Sequence, residues 1–303
     1  MGSQFQGIYT ALITPFNQEG DFDEIAYDGL IQQQLNDGIH GLVPCGTTGE
    51  TPTLSPNEQI EVIQACIKSV NKRVPIIAGG SRNNTKEACD FHRQLAELGV
   101  DASLQSTPWY NKPTQEGLYL HFKAISQSAP LPVVLYNVPS RTGVSLLPET
   151  TLRLAKDCSN IIAIKEASGS VANSQRIIAG LRDIRSDFSV LSGEDDFILP
   201  LLGIGGQGVI SVISHLAAKE MVQMYHAYIN QELATAQKIA AQLSQLVPIM
   251  FRQSNPIPVK TALALQGITQ EKFRLPLCPL SENEKNNLIS ELQQLDWLKK
   301  ESL

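Results

Sequence analysis

Short runs rich in apolar and β-branched residues recur along the chain, each closed by turn-forming residues: Gly7 to Pro15, Gly41 to Gly46, Val74 to Gly80, Ala102 to Pro108, Pro132 to Pro139, Ile161 to Ser168, Ser189 to Glu194 and Gly208 to Val212. Their starts lie about 28 to 34 residues apart, except for a last interval of about 19, and amphipathic stretches fill most of the intervals. The centres of these runs, such as Val133-Val134-Leu135 and Ile161-Ile162-Ala163-Ile164, are continuously apolar. That pattern predicts strands buried on both faces, as in a parallel sheet covered by helices. Between the second and third runs, Ser55-Pro56-Asn57-Glu58 supplies an N-cap, a proline at the first helical position and a glutamate at the third. Ile60, Ile63 and Ile67 follow at helical spacing, so a helix is predicted from Pro56.

Eight βα units of this kind end near residue 230. The remaining stretch of about 70 residues also reads as helix. Ser281 to Glu284 is a second capping box, and Leu288, Ile289, Leu292 and Leu295 follow on one face. No Gly/Ser linker precedes this tail. The expected fold is α/β, a (β/α)8 TIM barrel over residues 1–230 with a C-terminal helical extension, residues 231–303, packed on the barrel. A doubly wound open sheet is the alternative, because strand order is not legible in the pattern.

Composition narrows the function classes. The length of 303 residues admits either two ordinary domains or one barrel. With 24 basic against 30 acidic side chains the net charge is -6, and no cluster of Lys and Arg offers itself to phosphates, so nucleic acid is not an expected partner. Cys45, Cys66, Cys89, Cys158 and Cys278 are odd in number and form no C-x-x-C pair, which favours a reducing compartment. Met1 to Gly7 lacks the features of a leader or lipidation signal, and no run of about 18 apolar residues is present, so a cytoplasmic protein without a membrane partner is expected.

Barrel enzymes carry their chemistry at the C-terminal ends of the strands. There the chain has Gly46-Thr47-Thr48-Gly49-Glu50, Thr107-Pro108-Trp109-Tyr110-Asn111, Tyr136 to Gly143, and Lys165-Glu166-Ala167-Ser168-Gly169. Lys165 follows four apolar residues, and a lysine is rarely buried without a reason. In a dry pocket the neutral amine is favoured, and a neutral amine attacks a carbonyl to form a Schiff base. A salt bridge with a neighbouring carboxylate is the competing reading. Tyr136 closes the preceding strand and would shuttle protons at the same mouth, or else sit in the core with its hydroxyl bound to a carbonyl. Thr47 and Thr48 offer hydroxyls and N–H groups able to hold a carboxylate, though such a segment is often only a turn. Arg141 matches a carboxylate bidentately, or is a solvated loop residue.

Other signals are weak. Gly203-Ile204-Gly205-Gly206-Gln207-Gly208 fits a dinucleotide pattern literally but precedes a strand instead of joining one to a helix. Glu194-Asp195-Asp196 reads as the acidic first turn of a helix more readily than as a metal site. His40, His92, His121, His215 and His226 lack metal-ligand spacing, and no P-loop or G-x-S-x-G motif is present. A metal-dependent aldolase is thereby disfavoured.

Together the strand-end segments, with Leu191 to Asp195, Gly208 to Val212 and Asn255-Pro256-Ile257-Pro258-Val259-Lys260, resemble in order and spacing the dihydrodipicolinate synthase and N-acetylneuraminate lyase family of pyruvate-dependent class I aldolases. The resemblance runs from Gly7 to about Pro258. It implies that Lys165 forms the Schiff base with pyruvate and that Tyr136 is central to a proton relay with Thr48 and Tyr110. The tyrosine at the place of Tyr110 reaches a neighbouring subunit in the family, and a homotetramer, a dimer of dimers, is implied. Thr47 and Thr48 would hold the pyruvate carboxylate, Gly193 and Ile210 would line the pocket, and Arg141 would bind the carboxylate of L-aspartate 4-semialdehyde. The implied product, 4-hydroxy-tetrahydrodipicolinate, lies on the way to diaminopimelate and lysine. No cofactor or metal is implied.

Sialic acid lyases of the family usually carry Ser-Thr in place of Thr47-Thr48 and lack an arginine matching Arg141, so the synthase branch is favoured. Another pyruvate-dependent aldolase, for a sialic acid or a 2-keto-3-deoxy sugar acid, is the alternative, and a barrel that binds pyruvate without catalysis is the remote one. A pyridoxal phosphate enzyme would want a phosphate loop that the chain does not offer. Lysine-inhibited bacterial members resemble the chain at Asn83 and Glu87, and often have tyrosine for Trp109. They carry histidines where Pro56 and Gln59 stand, so weak or absent lysine feedback is expected.

Overall fold

The computed structural model describes residues 5–297. Residues 1–4 of the N-terminal stretch and 298–303 of the expected extension lie outside the described residues. All eight expected strands are present: β1 (Gly7–Ala11), β2 (Gly41–Val43), β3 (Ile77–Gly79), β4 (Ala102–Ser106), β5 (Val133–Asn137), β6 (Ile161–Glu166), β7 (Ser189–Ser192) and β8 (Gly208–Ser211). Helices alternate with them: α1 (Glu24–Asn36), α2 (Pro56–Val70), α3 (Thr85–Leu98), α4 (Gln115–Ser128), a short α5 (Pro139–Thr142) with α6 (Pro148–Asp157), α7 (Val171–Leu181), α8 (Ile198–Gly203) and α9 (Ser214–Ile229). Three more follow: α10 (Leu233–Met250), α11 (Ile257–Leu265) and α12 (Glu282–Gln294). The sheet order is β2-β1-β8-β7-β6-β5-β4-β3, with β1 parallel to β2 and each neighbouring pair from β3 to β8 parallel. A doubly wound sheet reverses direction at a switch point; this sequential order with the first strand beside the last is the (β/α)8 barrel topology. Both predicted capping boxes form, at Ser55 with Glu58 and at Ser281 with Glu284. Among the described residues no helix is long and apolar enough to cross a membrane.

The chain divides into two compact units. One comprises residues 5–7 with 75–211, the other 8–74 with 212–297 of the described chain. In the first, β5 to β7 are buried along their length and their outer residues Val133, Leu135, Ile161, Ile164 and Val190 pack with Phe122, Leu154, Ile177 and Leu181 of α4, α6 and α7. Arg185 ends α6: its guanidinium donates to the carbonyls of Ala155, Cys158 and Ile161 and pairs with Asp187, a cation satisfying a helix C-terminus. Within the Gly203 to Gly208 run, the last glycine has a steric explanation. A Cβ on Gly208 would lie 1.9 Å from the Gly7 carbonyl oxygen, so β8 can pass that backbone only as glycine.

In the second unit, His215 ties loops together: its Nδ1–H donates to the Val212 carbonyl, and its Nε2 accepts from the Ile13 N–H. That pattern requires a neutral ring. Burial pushes its imidazole down to about 4, as it does separately for His92 and His121. Between that value and the ordinary 6.5 the unfolded chain binds more protons than the folded one, so stability decreases as pH falls from about 6.5 to 4. Each histidine accounts for roughly 2–3 kcal/mol over that window. Urea unfolding at pH 7 and pH 5 is expected to show a lower midpoint at pH 5; a midpoint independent of pH would contradict the neutral buried rings.

Candidate active site

The pairing of β5 with β6 places Tyr136 opposite Lys165 and Asn137 opposite Glu166. Side chains that share a register position in a parallel sheet project to the same face, and their chain neighbours project to the other. Lys165 therefore meets Tyr136: its ammonium nitrogen lies 4.5 Å from the centre of the phenol ring. Glu166, adjacent in sequence, points away and is held elsewhere. Its carboxylate accepts from Asn137 Nδ2 at 3.1 and 3.0 Å and from the Ser168 N–H at 2.8 Å. Burial raises the Glu166 carboxyl above the ordinary carboxylate range, and these donors pull in the opposite direction. Asn137 is anchored in turn, since its Oδ1 accepts from the Leu146 N–H.

The salt-bridge reading of Lys165 fails on this geometry. Lys165 is only 6% exposed. None of the ion pairs among the described residues includes it. Space beside it is kept by Gly193, directly after β7, where a Cβ would come within 3.0 Å of Lys165 Cε and 2.6 Å of the Ala167 Cβ. The Gly193 N–H donates to the Glu166 carbonyl. Ile210 is buried on β8.

Arg141 lies in the last turn of α5, exposed and without an ion pair among the described residues. Tyr110 is 91% exposed and its backbone is left-handed (φ 75°), tied to the same loop by its N–H donating to the Thr142 carbonyl. Trp109 donates its N–H to Asn83 Oδ1 at 2.7 Å, and Glu87 lies in the first turn of α3. These residues all belong to the first unit.

Thr47 and Thr48 belong to the second, in a single 3₁₀ turn (Thr47–Gly49). Thr48 is buried and its Oγ1 accepts from Asn255 Nδ2. Glu50 ends the turn with a left-handed backbone (φ 52°, ψ 33°) and forms an ion pair with Lys260 at 2.6 Å, neither side chain having any exposure. Lys260 also sits over the Phe16 and Phe273 rings, and burial pushes its ammonium down to about 8 against the opposing pull of Glu50. In the same unit Pro56 opens α2, and Gln59 spends its amide on the Leu54 and Thr51 carbonyls. Neither the Glu50–Lys260 pair nor the Asn137–Glu166 bond was anticipated. Both lie inside motifs that drew attention for other residues, and the partners are 210 and 29 positions apart, beyond any local pattern.

Glu194, Asp195 and Asp196 form the short 3₁₀ helix and its cap, and among the described residues no group of three or more His, Cys, Asp or Glu is placed to hold a metal. The barrel and a buried strand-end lysine that joins no ion pair among the described residues, with a phenol beside it, are compatible with a class I aldolase. The chain belongs to the dihydrodipicolinate synthetase family, whose model matches residues 4–295, a longer reach than the motifs alone suggested. It is 48% identical over 285 residues to the 4-hydroxy-tetrahydrodipicolinate synthase of Nitratidesulfovibrio vulgaris strain DP4, covering 94% of this chain and 96% of that one. To the enzyme of that name from Bacillus subtilis strain 168 it is 48% identical over 291 residues, 96% and 99% of the two chains. The crystal structure of dihydrodipicolinate synthase from Thermotoga maritima superposes with a TM-score of 0.94 at 41% identity, covering 97% of this chain and 99% of that one.

Proposed function

We propose that the chain is a 4-hydroxy-tetrahydrodipicolinate synthase, a lyase that joins pyruvate to L-aspartate 4-semialdehyde through a Schiff base on Lys165. The observation that carries the reading is the Lys165 amine, buried, in no ion pair among the described residues and seated against Tyr136. The amine attacks the C2 carbonyl of pyruvate and water leaves, giving an imine. Loss of a C3 proton yields the enamine, whose C3 forms the carbon–carbon bond with the aldehyde carbon of the second substrate. The amino group of that substrate then attacks C2 and expels the Lys165 amine, closing the ring. Each step moves a proton, a role this reading gives to the Tyr136 phenol, whose ring lies against the Lys165 amine. The resemblance assigns Thr48 and Tyr110 the flanking places in that relay, and assigns Thr47 with Thr48 the pyruvate carboxylate. It also assigns Gly193 and Ile210 to the pocket lining.

Tyr110 supports a multi-subunit enzyme. A tyrosine almost wholly exposed on a left-handed backbone gains little within its own chain, which fits a side chain completing a neighbour's site in a homotetramer. The five cysteines, none of them in a disulfide, support work in a reducing cytoplasm. Asn83, Glu87 and Trp109 are the candidates for a lysine effector site. Its affinity is expected to be low, since Pro56 and Gln59 replace imidazoles with an N-terminal proline and an amide already engaged.

Two measurements test the assignment. With pyruvate as donor, turnover is expected with aspartate semialdehyde and not with N-acetylmannosamine; the reverse preference would move the chain to the lyase branch. Arg141→Ala is expected to raise the KM for the semialdehyde about 10- to 100-fold, the worth of a charge-assisted bidentate contact, with little change in the KM for pyruvate. Unchanged semialdehyde kinetics would mean that its carboxylate is held elsewhere.

A further inference from the structure

The segment Asn255 to Lys260 takes no step in the reaction, yet both of its polar ends grip one turn. Asn255 Nδ2 donates to Thr48 Oγ1 at 2.9 Å, and Lys260 Nζ donates to Glu50 Oε1 at 2.6 Å, so the two contacts fall on either side of Gly49. All four residues are buried. A buried ion pair returns little net stability, because desolvation offsets the Coulomb attraction; its clearest effect is to allow a single arrangement. Glu50 needs such a constraint, since its left-handed backbone is one that residues other than glycine seldom adopt. Further bonds close the turn: Thr14 Oγ1 donates to the Gly49 carbonyl, and Thr51 Oγ1 donates to the carbonyls of Cys45 and Gly46. Because Asn255 is the donor to Thr48, the Thr48 hydroxyl keeps its own hydrogen to give to another acceptor.

We propose that the Asn255–Lys260 segment is a clamp that sets the Thr47-Thr48 turn for the pyruvate carboxylate, with Asn255, Lys260 and Glu50 as positioning residues. The inference rests on the function proposed above, in which that turn receives pyruvate. A clamp of this kind acts on pyruvate binding and leaves the second substrate alone, which a merely structural contact would not do.

The test uses the full chain and three proteins: the parent, Asn255→Ala, and the double variant Glu50→Gln/Lys260→Met, which removes both buried charges together. Circular dichroism establishes folding. In each folded variant the KM for pyruvate is expected to rise about 10-fold or more with the KM for semialdehyde unchanged, a selective loss of ground-state binding. Borohydride trapping on Lys165 is expected to require correspondingly more pyruvate. If the double variant does not fold, Asn255→Ala decides alone. A folded variant with a pyruvate KM within twofold of the parent, or with both KM values raised equally, overturns the clamp. Absence of a trapped adduct in the parent itself overturns the proposed function instead, so the two failures are distinct.

Discussion

Lys165→Ala is expected to abolish the borohydride-stable adduct with pyruvate and to lower turnover by more than about 10⁴-fold, since the variant has lost the nucleophile itself. Lys165 lies buried beside Tyr136 with no ion pair among the described residues, so removing it leaves no buried carboxylate uncompensated. The variant should fold with a midpoint close to that of the parent, and lost activity then reports chemistry instead of unfolding. Peptide mass spectrometry of the parent is the decisive companion. Among the described residues Lys260 is the other deeply buried lysine, with its ammonium held down to about 8, and by that criterion alone it would compete as the nucleophile. Its amine is bonded to Glu50 with no exposure, so the pyruvate adduct is expected on the peptide containing Lys165. An adduct on Lys260, or none, would refute the assignment.

Tyr136→Phe is expected to slow kcat by about 10²- to 10⁴-fold, the usual cost of a lost general acid–base group. The phenylalanine ring would still pack under the Lys165 amine, so the site keeps its shape and KM for pyruvate should change little. The adduct should still form, more slowly, because imine formation needs the proton transfers that the phenol assists. A kcat within about threefold of the parent would show that Tyr136 only packs against the lysine, and the proton carrier would have to be sought among other groups.

The Lys165 and Tyr136 partnership also shows where legibility ends. Both residues stand out in the chain because each closes an apolar run. That they meet is another matter. Counting from the first pair, Val133 with Ile161, an unbroken register would set Tyr136 against Ile164 and leave Lys165 on the opposite face. A bulge intervenes: Val134 pairs with Ala163, which skips Ile162 and brings Tyr136 beside Lys165. The pleat itself sends Lys165 and Glu166 to opposite faces, and the shift hands the carboxylate to Asn137, so the two neighbours form no salt bridge.

The sequence by itself determined the eight strands, the helices between them, both capping boxes and the identity of the strand-end groups. Those features rest on interactions within a few residues, or on the burial of continuous apolar runs, and both are written locally. Only the tertiary structure decided the strand order, the β5–β6 register, the lack of an ion-pair partner for Lys165 among the described residues, and the grip of Asn255 and Lys260 on the turn at Thr48 and Glu50. Each of these depends on groups brought together across long stretches of chain, where pleat parity, a single bulge and the pairing of buried charges select one arrangement from several that the local pattern allows.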